Sequence, residues 1–268
     1  MVTEPLKIVL LPGMDGGGEL FREFVAALPV EWDTETVIYP ADQVLAYVEL
    51  DALVRRAIPA EGAFVLVAES YSTPLAIRIA ATNPERLMAL VLCAGFATSP
   101  VKGLLHDLTS LLPLRTLRVP FPKFLSRMFL LGEDAPDALV TAVAAEIDWV
   151  EPEVLAARVR EVLMCDVRAE LVQVQVPIQY LRPAKDKLVS VECMEEIVTL
   201  THGTAVATID GPHLLLQREP ELCARVIRDF LQVLQNSEDV GGVGADAVVG
   251  MGFGEENAIV AREDERRG

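Results

Sequence analysis

Short apolar runs alternate along this chain with segments whose apolar residues recur every three or four positions. Residues 6–11, 34–39, 64–68 and 87–94 have the length and β-branched content of strands, and two more such runs, 178–181 and 205–209, follow a long gap. Helical periodicity occupies 19–28, 44–58, 74–81 and 219–234. The stops fall where chain chemistry demands them: Pro40 after the second strand, Pro59 and Gly62 after the second helix, Asn83-Pro84 after the third. Strand alternating with helix predicts an α/β domain: a mostly parallel sheet of about six strands with helices on both faces.

The gap is informative. Residues 98–173 are too many for a loop and are broken by Pro113, Pro120, Pro122, Pro136 and Pro152 into short helix-like pieces. They read as an inserted helical cap, which leaves 1–97 and 174–235 as the core. The first half of the cap is very apolar. Leu105, Leu108, Phe124 and Met128 are its candidates for lining an acyl pocket, and others of its residues dock the cap on the core. From residue 236 the chain turns Gly-rich and then acidic, and 236–268 reads as a disordered tail.

Composition narrows the classes. A chain of 268 residues, 51% hydrophobic and 24% charged, can bury one full α/β core. A formal charge of −17 argues against non-specific nucleic-acid binding. Cys93, Cys165, Cys193 and Cys223 are widely spaced, form no CxxC and sit in apolar contexts, as reduced buried thiols would. The start of the chain lacks a basic region and a cleavage site, and no apolar run is long enough to span a bilayer. A cytoplasmic address is the expectation.

The chemistry gathers around Ala68-Glu69-Ser70-Tyr71-Ser72. A strand runs into it and a helix leaves it, with Pro74 suited to the first helical turn. A serine on so sharp a turn projects its hydroxyl beyond the strand end, and the residues two before and two after must be small, as Ala68 and Ser72 are. The helix N-terminus beneath favours developing negative charge. Serine in such a turn is also a common helix cap, so the pentad does not decide the matter alone.

A nucleophilic serine needs a general base, and the base an orienting carboxylate. There are three histidines. His106 lies in the cap, and His202 precedes the last strand, which places it at the opposite sheet edge. His213 follows that strand, on the edge shared with Ser70, where open α/β sheets hold their sites. Asp186 follows the preceding strand on the same edge. Asp210 is too close to His213 in sequence to orient it, and Asp166 precedes its strand; both read as structural.

Nucleophile, acid and histidine in the order Ser70, Asp186, His213 resemble an α/β-hydrolase-fold serine hydrolase, over residues 6–234. The resemblance implies a catalytic triad of these three, an oxyanion hole from the main-chain N–H groups of Met14 and Tyr71, and a close approach of Gly13 to substrate. It implies neither metal nor organic cofactor. The family's usual His-Gly in the oxyanion loop is Pro12-Gly13 here, and its usual glycines around the nucleophile are Ala68 and Ser72. The chain also begins almost at the oxyanion strand, so the antiparallel edge of the family's sheet should be missing. Asp15 is expected to shape its loop and Glu69 to be a partly solvated elbow residue.

The expected activity is cleavage of carboxylic esters through an acyl-serine intermediate. Thioesterase or acyltransferase chemistry would use the same triad, and a non-catalytic receptor on the same fold is the alternative of another class. In size and layout the chain is similar to small capped hydrolases that cleave the methyl ester of pimeloyl-carrier-protein. Lys102, Arg115, Arg118, Lys123 and Arg127 face only Asp107 in residues 98–131, a basic segment that could meet an acidic acyl carrier protein. Otherwise it is a solvated helix face and the partner is a small ester.

Overall fold

The computed structural model describes residues 5–101, 122–201 and 203–239. Among them is a six-stranded sheet: β1 (Lys7–Leu11), β2 (Asp33–Thr36), β3 (Phe64–Glu69), β4 (Leu87–Cys93), β5 (Ile178–Pro183) and β6 (Thr204–Ile209). Their order is β2-β1-β3-β4-β5-β6, and every pair is parallel. No antiparallel strand flanks this sheet among the described residues. Strand β2 begins one residue earlier than its apolar run and ends at Thr36, although Val37 N–H still bonds the Leu10 carbonyl at 2.9 Å.

Side chains of a strand alternate between faces, and the core divides accordingly. Val9, Leu11, Leu66 and Ala68 face one apolar layer; Ile8, Leu10, Val65 and Val67 face the other. The first layer is closed by α2 (Tyr47–Ala57) and α3 (Thr73–Ala81), the second by α1 (Arg22–Ala27) and the last long helix, Pro220–Asp239. In that last helix Cys223, Ile227, Phe230, Leu231 and Leu234 recur at helical spacing and are all buried. It runs to Asp239, so the tail boundary expected at 235 falls inside a helix. Residues 240–268 lie outside the described part.

The connection leaving β1 goes to one face and that leaving β3 to the other. Adjacent strands whose connections part in this way leave a crevice at their carboxyl ends. The loop 12–18 and Ser70 border it. Over the crevice stand Lys123–Leu125, which runs directly into a π-helical turn (Ser126–Leu131), then α4 (Asp137–Trp149) and α5 (Pro152–Leu163). Leu131, Val140 and Val143 from these segments pack with Leu20 and Leu214 of the core. No helix among the described residues is long and apolar enough to cross a membrane. All four cysteines are buried free thiols.

Candidate active site

Ser70 sits in the turn between β3 and α3 with a φ of 48°. That left-handed conformation costs a non-glycine residue about 1 kcal/mol or more. It is held by a fully buried strand before it and by Thr73, whose hydroxyl donates to the Ser70 carbonyl at 2.7 Å and accepts the Phe96 N–H at 3.2 Å.

The three residues expected from the chain order meet. His213 Nε2 lies 2.9 Å from Ser70 Oγ, and His213 Nδ1 lies 2.8 Å from Asp186 Oδ2. The other Asp186 oxygen accepts the N–H groups of Leu188 at 2.8 Å and Val189 at 3.0 Å, which fixes the carboxylate plane. An ionised carboxylate only accepts, so Nδ1 carries the proton and Nε2 is left to accept from the serine hydroxyl. The side chains of His213 and Asp186 are 4% and 3% exposed. The loops after β5 and β6 are stitched by Ala184 N–H to Ile209 O, 2.8 Å, and Lys185 N–H to Gly211 O, 2.9 Å. Asp210 pairs with Lys185 and Asp166 with Arg168, both structural roles. His106 and His202 lie outside the described residues.

Pro12-Gly13-Met14-Asp15-Gly16 forms the opposite wall. The Ser72 hydroxyl donates to the Pro12 carbonyl. Its single proton thus used, Ser72 Oγ can only accept from the Tyr39 hydroxyl, 2.8 Å away. The smallness of Ser72 is therefore half its part; its oxygen holds the loop. Gly16 N–H bonds Gly13 O at 3.1 Å and closes a turn around Met14 and Asp15. Tyr71 is the second residue of the helical turn Ser70–Ser72 after the strand, where main-chain N–H groups have no partner within the helix.

Two acids were placed too close to solvent or too simply by sequence reasoning. Glu69 is not partly solvated: it is 1% exposed, because β3 is covered on both faces and position 69 is still inside the sheet. Burial pushes its carboxyl up to about 8, Asp15 adds to the rise, and the amide of Gln217, 3.1 Å away, offsets a little. Asp15 does shape its loop, accepting Gly17 N–H at 2.9 Å, but it is also raised to about 6 by burial and reaches the cavity wall.

Ser70 and His213 open into a cavity of about 370 Å³ walled largely by hydrocarbon. Leu20, Val143, Ile147, Leu155, Val159 and Leu214 contribute, with Gly13 and Met14 beside Ser70. Of the expected pocket residues, Leu105 and Leu108 lie outside the described part. Phe124 is 61% exposed and Met128 41%, and neither lines this cavity; Leu125 and Phe129, one position later, do. In the block 124–130 the polar Ser126 is buried and Arg127 only partly exposed, so its polar positions do not mark the outer face, and its π-helical turn shifts the spacing. Of the five cap cations, Lys102, Arg115 and Arg118 are outside the described residues. Lys123 donates to Thr141 at 3.0 Å, and Arg127 is bound to Asp137.

Sequence reasoning missed Arg158. From α5 it reaches into the core, 3% exposed, and donates to the carbonyls of Met14 (2.8 Å), Asp15 (2.9 Å) and Pro40 (2.9 Å), with its guanidinium over the Tyr39 ring at 5.9 Å. The available signal was its place four residues after Val154, on a buried stripe of the helix.

No protein-family model matches the chain, and no curated protein sequence does. Solved structures do resemble it. A thermophilic esterase from Thermogutta terrifontis is 20% identical, with a TM-score of 0.69 over 87% of this chain and 91% of the other. A lipase-esterase related protein from Clostridium acetobutylicum is 15% identical, TM-score 0.68, over 85% and 95%. The enol-lactonase from Burkholderia xenovorans is 15% identical, TM-score 0.64, over 84% and 91%. By strand order, strand-to-helix elbow and these likenesses, the chain has the α/β-hydrolase fold.

Proposed function

We propose that the protein is a serine hydrolase that cleaves carboxylic esters through an acyl-serine intermediate. The observation that carries this reading is the 2.9 Å and 2.8 Å relay from Ser70 through His213 to Asp186 at the mouth of an apolar cavity. The Ser70 hydroxyl attacks the ester carbonyl while His213 Nε2 takes its proton. The carbonyl oxygen becomes an oxyanion between the N–H groups of Met14 and Tyr71, and each such donor lowers the barrier by about 3 kcal/mol. Collapse of the tetrahedral intermediate breaks the ester C–O bond, and His213 returns the proton to the departing alcohol. Water then repeats the sequence on the acyl-serine and releases the acid. The hydrocarbon-walled cavity suits the acyl chain: each methylene moved out of water there contributes about 0.8 kcal/mol.

The test is labelling with a fluorophosphonate probe, which reacts with activated serines, alongside turnover of p-nitrophenyl butyrate. Wild type should label and turn over, and Ser70→Ala should do neither. Full turnover by Ser70→Ala would refute the assignment.

A further inference from the structure

We infer that Arg158 is a positioning residue for the oxyanion donor at Met14, so that a side chain of the cap completes the oxyanion hole of the core. The inference rests on Ser70 acting as an acyl-transfer nucleophile.

Three successive peptide planes make up the turn. The first, Gly13–Met14, is held by Gly16 N–H on Gly13 O at 3.1 Å. A trans peptide points its C=O and N–H in opposite directions, so that bond also aims the Met14 N–H. The next two planes have their carbonyls, Met14 O and Asp15 O, on one nitrogen of Arg158 at 2.8 Å and 2.9 Å. The other terminal nitrogen takes Pro40 O at 2.9 Å, which ties the turn to the segment after β2. Gly16 accommodates this grip. Its φ is 72°, and a β-carbon there would lie 2.7 Å from the guanidinium.

The arginine forms no carboxylate ion pair among the described residues. Its bonds are spent on main-chain carbonyls, an arrangement that suits a planar five-donor fork and not an ammonium. Leu155 and Val159, on the same helix, line the acyl cavity. One helix therefore meets both the acyl chain and the loop that receives the oxyanion.

Arg158→Lys keeps the charge and loses the fork. The expected result with p-nitrophenyl hexanoate is a fall in kcat of about tenfold or more, with KM within about twofold, since a donor that matters only in the transition state is loosened. Two inhibitors separate positioning from packing. An alkyl trifluoromethyl ketone adds Ser70 Oγ at its carbonyl carbon, passes the serine proton to His213 and places an alkoxide at the oxyanion site. The parent methyl ketone only fills the cavity. The variant should bind the first about tenfold more weakly and the second equally well. Arg158→Met keeps the buried stem and removes the donors, and should give the same pattern; it serves if Arg158→Lys does not fold. Wild-type kcat and ketone affinities in the variants, or equal losses for both ketones, would overturn the inference alone. A wild type that neither labels nor turns over esters would instead overturn the reading of Ser70.

Discussion

The Ser72 hydroxyl donates to the Pro12 carbonyl, so the elbow that presents Ser70 also holds the loop opposite it. The bond joins residues sixty apart in sequence and spans the crevice between β1 and β3. In Ser72→Ala the buried Pro12 carbonyl loses its donor and the Tyr39 hydroxyl its acceptor. An unsatisfied buried group costs about 1–3 kcal/mol. Urea denaturation should register a loss of that size, and kcat for an ester should fall more than KM rises, because the loop carrying Met14 is no longer tethered at its start. Unchanged kcat would separate this bond from catalysis.

Asp186→Asn is the sharpest test of the histidine's role. Asp186 Oδ1 accepts two main-chain N–H groups, from Leu188 and Val189. An asparagine must keep its carbonyl there and turn its NH₂ toward His213 Nδ1. The imidazole then accepts at Nδ1 and carries its proton on Nε2, facing Ser70, where it cannot take another. A fall in kcat on the order of 10³–10⁴ is expected from the wrong tautomer, with the melting temperature close to wild type. A drop below tenfold would mean that Asp186 does not set the tautomer.

The cavity makes a prediction about chain length. Ile147 lines it from α4 and is only partly buried, so Ile147→Phe can fill space without overpacking the core. Two extra methylenes on the acyl chain are worth about 1.6 kcal/mol when buried, or about fifteenfold in kcat/KM for hexanoate over butyrate. Ile147→Phe should erase most of that preference. Phe124→Ala, altered at an exposed position, should leave it intact. Steady-state kinetics on the two esters would show either outcome.

The fold and the candidate site were legible in the sequence for one physical reason: both depend on short-range pattern. A strand buried on both faces, such as 64–68, is a continuous apolar run, and residues just after successive strands share one sheet edge whatever lies between. Ser70, Asp186 and His213 could thus be gathered without knowing a single distance. What was not legible depends on which way a side chain turns. In the block 124–130 the polar Ser126 turns inward, so polarity misleads about its inner face, and Leu125 and Phe129 line the cavity where Phe124 and Met128 are expected. Arg158 shares a helix stripe with Val154, but only the approach of α5 to the loop 12–18 gives it carbonyls to bind. Glu69 follows the strand's apolar run by one position, and nothing local reveals that the sheet still covers it.

Glu69 ties stability to pH. Its carboxyl is held at about 8 in the folded protein, against 4.5 for the free side chain, chiefly by burial. Glu69 Oε1 and Gln217 Oε1 have no hydrogen-bond partner among the described residues. One proton on Glu69 converts an acceptor into a donor for this pair. The folded state therefore binds more protons than the unfolded between pH 4.5 and 8, and stability must fall as pH rises through that window, by up to about 1.4 kcal/mol per pH unit. The full contribution is present below 4.5 and lost above 8. Asp15, raised from 3.8 to about 6, adds a similar decline over its own lower window. Glu69→Gln replaces the protonated acid by a neutral amide that can both donate to Gln217 and accept from it. The variant and wild type should be about equally stable near pH 4.5, and the variant should become progressively more stable as the pH approaches 8. Chemical denaturation at half-unit intervals would measure the divergence. Parallel curves would mean that Glu69 is ionised in the native protein, with a partner supplied from elsewhere.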